Sequence, residues 1–338
     1  MEKTELRYEV IQKTLEISNN KLSVKELCEL AGVSRSGYYR WLDAAPLRAE
    51  RERKDKEDFN KILIAYRYRG YDKGVQGIRM RLLRMGTKMN HKKIRRLMRK
   101  YRLNCPIRER NPYKAMMREM QTDVVFDNLI NREFKAHGPR KILLTDITYI
   151  KLKEGFVYLS VIIDAYTMQV LAYQLSDSLK VDFVLKTVND LIRVHGISLD
   201  EETCIHSDQG SHYTSISFRK LIKDSELRQS MSRRGNCWDN APQESFFGHM
   251  KDELKPYASR WETFDDVKAR IDDWIDYYNK DRYQVGLKQL SPNEYYHYLM
   301  TGENPLEKKD QRYEATGAGT ESRDSTLNAL AFGQPLTK

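Results

Sequence analysis

The stretch "KILLTDITYIKLKEGFVYLSVIIDAYTMQVLAYQL", residues 141–175, decides the predicted fold. It contains three runs rich in β-branched, aromatic and aliphatic residues, at 141–150, 156–164 and 168–175, separated by short turns. Runs of this kind with short connections predict an antiparallel meander of three strands.

Helical and strand patterns alternate after the meander. A helical pattern at 181–196 precedes a short strand at 203–207, a helix from about residue 214 to 223, a strand at 227–232 and a further helix. Three strands followed by helix, strand, helix, strand and helix is the order of an RNase H-like α/β fold. The fold alone does not assign a function, so the evidence for one must come from the acidic residues.

Two aspartates stand where this fold would hold a side chain firmly. Asp146 lies inside the first strand between Leu144 and Ile147, and a carboxylate there is costly to bury unless it is paired or metal-bound. Asp208 ends the fourth strand, which we expect to neighbour the first, so that both carboxylates could reach one point. Either Asp alone could be a structural residue at a strand end or turn, with its hydrogen bonds satisfied. That explanation fits less well when both occur together with a third acid.

The stretch "GNCWDNAPQESFFGHMKDEL", residues 235–254, offers four candidates for that third acid. Asn240 can cap a helix here, and Pro242 fits its first turn. At 100° per residue, Lys251 falls about 20° from Glu244 on the same face, whereas Glu253 falls on the opposite face.

Phe246, Phe247, Met250 and Leu254 form a separate apolar arc that can anchor this helix to the sheet. Glu244 therefore lies with Lys251 on a face apart from this arc. The other acids are expected to be dispensable for chemistry; these are Asp239, Asp252 and Glu253.

The net charge of +11 is distributed unevenly along the 338 residues. Residues 1–60 contain 12 Lys and Arg and 12 Asp and Glu, residues 61–120 contain 19 and 3, and residues 121–338 contain 28 and 33. A strongly basic block predicts binding to a polyanion such as nucleic acid; the alternative is a solvated helical surface.

The stretch "SVKELCELAGVSRSGYYRWL", residues 23–42, predicts two short helices around a tight turn at Gly32. Such a helix-turn-helix places the N-terminal residues of its second helix in the major groove of DNA, although a plain helical hairpin has the same pattern. The candidate DNA-reading residues are Ser34, Arg35, Ser36 and Arg40.

A second such unit, "VQGIRMRLLRMGTKMNHKKIRRLMRKYRL", follows at residues 75–103, with a break at Gly86 and a final helix capped by Asn90. Cations crowd that helix and repel one another unless a polyanion is near, which indicates salt-dependent contacts to phosphates. The candidate residues are Lys92, Lys93, Arg95, Arg96, Arg99 and Lys100.

Four segments together resemble one protein family. "LLTDITYI", "HSDQGSHYTS", "SMSRRGNCWDNAPQESFFGHMKDEL" and "YYNKDRYQVGLKQLSPNEYY" are similar to the catalytic frame of bacterial insertion-sequence transposases, of the OrfB type in the IS-three family, whose core is similar to retroviral integrases. Asp208 and Glu244 are separated by 35 residues, the acid spacing characteristic of that group. The resemblance covers roughly residues 1–300.

The resemblance implies a DDE-type transposase that cleaves the ends of a DNA element and transfers them to a target. Asp146, Asp208 and Glu244 would be the catalytic acids and would hold two divalent metal ions, Mg²⁺, with Mn²⁺ as a substitute. Lys251 would contact the DNA end. Other candidate DNA contacts, each with a structural alternative, are Gln209, Tyr213, Arg233 and Arg234.

The implied partners are double-stranded DNA, as terminal inverted repeats and target, and an upstream-frame protein or a fusion with one. Pairing two DNA ends calls for at least a dimer. The predicted layout is a helix-turn-helix module at 1–50, a basic helical module at 51–110, a linker at 111–139, the catalytic core with C-terminal helices at 140–300 and a flexible tail at 301–338.

The remaining composition bounds the location and leaves other functions open. The sequence has no apolar run of membrane-spanning length, no apolar signal segment and only four scattered cysteines, which together favour a cytoplasmic protein. A non-catalytic DNA-binding regulator derived from a transposase is the alternative function. A simple RNase H-type nuclease is a weaker third hypothesis, because two DNA-binding modules are predicted.

Overall fold

The computed structural model describes residues 2–71, 73–103, 105, 128–130, 133–233 and 237–307. Two compact units form, one from residues 1–82 and 89–105 and the other from residues 83–88 and 106–338. Most of the predicted linker and tail lies outside the described residues. None of the helices in the described ranges has the length and apolarity needed to cross a membrane.

The first unit is helical and has two small cores. Ile11, Leu27 and Tyr38 are buried in one core, and Ile62 and Leu97 are buried in the other. Two of its helices, at the start of the chain and before the basic block, were not predicted. The helices are α1 (Glu2–Leu15), α2 (Val24–Ala31), α3 (Arg35–Asp43), α4 (Ala45–Arg67), α5 (Val75–Arg84) and α6 (His91–Lys100).

Local capping explains where α2, α3 and α6 begin. Ser23 and Glu26 form a reciprocal capping box at the start of α2, and Gly32 ends that helix with a φ of 64°. The Ser34 hydroxyl accepts from the Gly37 N–H, and the Asn90 side chain caps α6 in the same way. The helix-turn-helix layout predicted at residues 23–42 is therefore confirmed as a structure.

The second unit is built on a five-stranded mixed sheet with strand order β3-β2-β1-β4-β5. The β1–β2 and β2–β3 pairs are antiparallel, and the β1–β4 and β4–β5 pairs are parallel. This confirms the meander, the neighbouring first and fourth strands, and the RNase H-like α/β fold. The strands are β1 (Ile142–Lys151), β2 (Phe156–Asp164), β3 (Val170–Ser176), β4 (Cys204–Ser207) and β5 (Arg228–Met231).

Six helices accompany the sheet. The single helix expected at residues 214–223 is divided in two, because Ser215 takes an extended conformation and caps the second part. The helices are α7 (Asp182–His195), α8 (Ser211–Thr214), α9 (Ile216–Asp224), α10 (Ala241–Ala258), α11 (Phe264–Lys280) and α12 (Pro292–Thr301).

The two faces of β1 have different neighbours. Leu143 and Ile147 belong to a core that also contains Phe183 of α7 and Phe218 of α9. Side chains alternate along a strand, so Asp146 points to the opposite face of the sheet. The helix α10 packs against β1 as well.

Candidate active site

The register of β1 and β4 brings two of the predicted acids together. Leu143 pairs with Ile205, and Leu144 pairs with His206. Continuing this parallel register by two residues sets Asp146 level with Asp208. Neighbouring strands lie about 4.8 Å apart, so the two carboxylates are close.

Backbone N–H groups hold both carboxylates. The Asp146 Oδ1 accepts from the Ile147 N–H at 2.7 Å, and the Asp208 Oδ1 accepts from the Gly210 N–H at 2.9 Å. Burial raises the pKa of Asp146 well above its ordinary value, and the nearby charges of Asp208 and Glu244 raise it further. Burial also raises the pKa of Asp208. The site therefore disfavours two unshielded negative charges.

Glu244 and Lys251 reach the same place from α10. Glu244 lies in the first turn of that helix, and the charges of both residues act on Asp146. Burial lowers the pKa of the Lys251 ammonium to about 8, against the attraction of Asp146. The predicted shared face of Glu244 and Lys251 agrees with this arrangement.

The three acids are not gathered tightly around one point. Within the residues that the structure describes, no three His, Cys, Asp or Glu side chains form a group ready to hold a metal ion. The available donors are nevertheless carboxylate oxygens, which suit a hard cation such as Mg²⁺. Asp146 and Asp208 are only partly exposed, and burial raises the pKa values of both carboxyl groups. A bound cation would stabilise the ionised carboxylates and so oppose this rise.

The apolar side of α10 fixes the helix to its surroundings. The predicted arc of Phe246, Phe247, Met250 and Leu254 is buried throughout. The Phe246 ring meets the Trp274 and Tyr278 rings of α11 edge-on, with centroids 5.5 Å and 4.9 Å away. Asn240 stands at the N-cap, as predicted, but makes no capping hydrogen bond with its side chain.

Glu253, on the other side of α10, is a structural anchor. Its carboxylate accepts from the Trp274 Nε1–H and from the Arg282 Nε–H, both at 2.9 Å. The Glu253 and Arg282 side chains are 14% and 16% exposed, so this is a largely buried ion pair between α10 and the end of α11. Glu253 is directed away from the acids, as the helix angles predicted.

Asp239 is the residue whose importance the sequence did not reveal. Its carboxylate is buried and accepts from the Arg233 Nε–H at 2.9 Å, the Arg233 backbone N–H at 3.1 Å and the Asn128 amide at 2.9 Å. It therefore ties residues just before the sheet and just after β5 to the start of α10. The Asn128 partner lies 111 residues away, so no local pattern indicated it.

Two other polar residues near the sheet have structural roles. His206 is buried, with its ring nitrogens 2.9 Å from the Ser230 hydroxyl and 3.0 Å from the Ser232 hydroxyl, and burial lowers its pKa to about 4. Asp164 accepts from the Thr167 hydroxyl at 2.8 Å at the end of β2. His206 is therefore a core histidine, and Asp164 is a turn residue.

The structure argues against direct DNA contacts by Gln209 and Tyr213. Gln209 is 2% exposed and donates to the Ser232 carbonyl oxygen, and Tyr213 is 1% exposed and packs edge-on against Phe218 beneath the acids. Arg233 remains half exposed but engages Asp239. Arg234 lies outside the described residues.

The predicted DNA-binding residues of the helical unit lie on its surface, but not all are equivalent. Ser34, Arg35, Ser36 and Arg40 are exposed around the start of α3. On α6, Lys93, Arg96 and Lys100 form ion pairs with acids of α4. The α6 cations were expected to need a polyanion to offset their mutual repulsion. For Lys93, Arg96 and Lys100 that expectation is wrong, because acids of α4 already neutralise their charges.

Comparison with known proteins identifies related families and proteins. Two integrase core domain families match this chain, over residues 136–237 and 225–292. The insertion element IS600 uncharacterized 31 kDa protein of Shigella sonnei is 31% identical over 277 residues, which are 81% of this chain and 99% of that protein.

Two further relatives match this chain over most of their own length. The putative transposase InsK for insertion sequence element IS150 of Escherichia coli K12 is 31% identical over 80% of this chain and 92% of that protein. An uncharacterized transposase-like protein of Haemophilus influenzae is 36% identical over 63% of this chain and 95% of that protein. The likeness to these relatives thus extends beyond the integrase core.

Proposed function

This chain belongs to the insertion-sequence transposases of the IS-three family, and from that premise we propose that it cleaves the ends of its DNA element and joins them to a target. Asp146, Asp208 and Glu244 are the proposed catalytic acids. The observation that carries this proposal is the parallel pairing of β1 with β4, which brings Asp208 at the end of β4 near Asp146, with Glu244 acting on Asp146 from α10.

The same three carboxylates are the proposed metal ligands. Bound Mg²⁺ or Mn²⁺ ions would activate the attacking hydroxyl and stabilise the leaving oxygen of the phosphodiester. Their fit is supported by the oxygen donors, by the burial that raises the pKa values of both aspartates, and by the negative charges of Asp208 and Glu244, which raise the pKa of Asp146 further. Glu244 has three rotatable side-chain bonds, through which its carboxylate would complete the set.

The surrounding residues would hold these acids in place during the reaction. The Ile147 and Gly210 N–H groups fix one oxygen each of Asp146 and Asp208. Phe246 and Glu253 attach α10 to α11 and so fix the helix that carries Glu244. Lys251, whose ammonium interacts with Asp146, would contact a phosphate of the DNA end.

The N-terminal helices are the proposed binding region for the ends of the element. The exposed residues at the start of α3 would read bases, as in other helix-turn-helix proteins, while cations on α6 would contact phosphates. Joining two ends to one target calls for at least a dimer on DNA, and an upstream-frame protein or fusion is a proposed partner. The reaction would take place on DNA in the bacterial cytoplasm.

A strand-transfer assay tests the proposed activity. The purified chain would be mixed with a labelled duplex that ends in the element's own terminal repeat, a target plasmid and Mg²⁺. We expect joined products with the native chain and none with Asp208→Asn, although that variant should still bind the repeat. Unchanged joining by Asp208→Asn would refute the catalytic assignment, and repeat binding without joining by the native chain would favour a non-catalytic regulator.

A further inference from the structure

The six cations of α6 occupy two adjoining arcs of the helix surface. Angles around the helix are measured from Lys92, at 100° per residue. Arg95 and Arg99 lie within about 60° of Lys92 on one side. On the other side, Arg96, Lys100 and Lys93 lie about 40° to 100° from it. The buried side chains, Ile94, Leu97 and Met98, occupy the remaining arc.

The second arc is joined to α4 by a ladder of ion pairs. Arg96 forms two hydrogen bonds with the Asp55 carboxylate, at 2.8 Å and 2.6 Å. Lys100 pairs with both Asp55 and Glu52, and Lys93 pairs with Asp58. The Asp55 side chain is only 14% exposed, and its contact with Arg96 lowers its pKa.

The ladder makes these three cations poor phosphate ligands. A phosphate that approached them would compete with carboxylates already in place and would be repelled by the same acids. The Tyr101 hydroxyl also donates to Glu52, and its ring packs against Phe59 of α4 with centroids 4.3 Å apart. This arc therefore positions α6 on α4.

The first arc is exposed and has no such compensation. Lys92, Arg95 and Arg99 are all exposed, and in the described part of the chain their side chains make no ion pair or hydrogen bond with a carboxylate. Lys92 and Arg99 are seven positions apart, about 10 Å along the helix axis, or about three phosphates of one DNA strand.

We propose that Lys92, Arg95 and Arg99 form the phosphate-binding face of the helical unit, whereas Lys93, Arg96 and Lys100 serve to orient that face. This inference depends on the proposed function only for the identity of DNA as the partner. Cations without carboxylate partners release counterions from DNA when they meet phosphates, which makes binding steeply dependent on salt.

Two variants with the same change in charge test this assignment in the full chain. One carries Lys92→Gln, Arg95→Gln and Arg99→Gln, and the other carries Lys93→Gln, Arg96→Gln and Lys100→Gln. Affinity for a fluorescent duplex of unrelated sequence would be measured by anisotropy, without divalent metal, at salt concentrations from about 50 to about 200 mM. Circular dichroism would verify that both variants fold.

The first variant should bind less tightly, and its plot of log affinity against log salt should lose about 2.7 units of slope, the amount expected for three lost phosphate contacts. The second should keep the native slope and melt at a lower temperature. Equal slopes in the two variants, or a native slope in the first, would overturn the proposal.

Single substitutions keep the test decisive if the second triple variant does not fold. Lys92→Gln should then lower the slope by about 0.9, and Lys93→Gln should leave it unchanged. Equal effects would again overturn the proposal. The assay contains no metal and measures no joining, so the assigned DNA face and the proposed chemistry can fail independently.

Discussion

Asp208 directly follows β4, which pairs in parallel with the strand β1 that carries Asp146, and the negative charge of Asp208 adds to the burial that raises the pKa of Asp146. A protein gains nothing in stability from such a pair unless a cation shields it. The arrangement is therefore a feature of function that the fold tolerates, and it has measurable consequences for stability.

Asp208→Asn should stabilise the metal-free protein at neutral pH. The native pKa of Asp208 lies above its ordinary value, so the native state retains the proton more readily than the unfolded state does. The free energy of unfolding therefore decreases as pH rises from the ordinary pKa through the native pKa, and asparagine removes that loss. We expect a higher melting temperature in EDTA at pH 7, by about 2–4 °C for each kcal/mol relieved.

The control is a matched substitution of an aspartate whose pKa is lowered in the native state. Lys141 lowers the pKa of Asp200, so Asp200→Asn should not stabilise the protein at pH 7. Melting curves of both variants between acidic and neutral pH would compare them. If Asp208→Asn melted with the native chain at pH 7, or if its advantage grew on acidification, the account of the acids would be wrong.

Gly210→Ala should impair joining without unfolding the core. A Cβ at this position would lie 2.9 Å from the Asp208 Oδ1, so the carboxylate would have to leave the position that the Gly210 N–H fixes. The backbone at Gly210 has a φ of −64°, which alanine adopts without strain. Joining rates should fall about tenfold or more, the cost of roughly 1.4 kcal/mol in the transition state.

Gly286→Ala is the matched control for that substitution. Gly286 lies in the same unit, and among the described residues no atom beyond its immediate chain neighbours lies within 4 Å of a Cβ built there, so this variant should join DNA at the native rate. Equal rates for Gly210→Ala and the native chain would show that the position of Asp208 does not limit the reaction.

Asp239→Asn should destabilise the second unit although Asp239 performs no chemistry. The buried carboxylate would lose charge-assisted bonds from Arg233, at a cost of about 1–3 kcal/mol. Chemical denaturation would measure the loss. Arg233→Gln should cost less, because the Arg233 side chain is half exposed and water can replace it. A larger loss in Arg233→Gln than in Asp239→Asn would contradict this interpretation.

Glu253→Gln should lower stability while leaving the chemistry of folded molecules intact. The substitution leaves the Arg282 guanidinium without its carboxylate partner in a largely buried site, which typically costs about 3–5 kcal/mol. Denaturation should show the loss, and joining rates per folded molecule, measured well below the melting temperature, should stay native. A lost joining rate in fully folded Glu253→Gln would place this acid in the reaction.

The sequence predicted the parts of the fold that local patterns determine. Hydrophobic runs identified all five strands, and the neighbouring positions of β1 and β4 followed from the order of elements. Helix angles separated Glu244 and Lys251 from Glu253, and the contacts of Glu253 with α11 agree with that separation.

Long-range packing determines what the sequence left undetected. The ion pairs between α4 and α6 join residues 35 to 48 positions apart, and α4 had not been predicted as a helix. Gln209 and Tyr213 follow a proposed catalytic acid in a loop, which suggested exposure, yet both side chains turn inward. Asp239 resembles an ordinary loop acid until Asn128 and Arg233 are brought to it by the folded chain.

The most direct test of the central claim compares two acids of α10 in the same Mg²⁺-dependent joining assay. Glu244 and Asp252 lie on one helix, but only Glu244 acts on Asp146 in this arrangement. We predict that Glu244→Gln binds the terminal repeat and yields no detectable joined product, while Asp252→Asn joins DNA as the native chain does. Native joining by Glu244→Gln, or loss of joining in a folded Asp252→Asn, would contradict the assignment of Asp146, Asp208 and Glu244 as the catalytic acids.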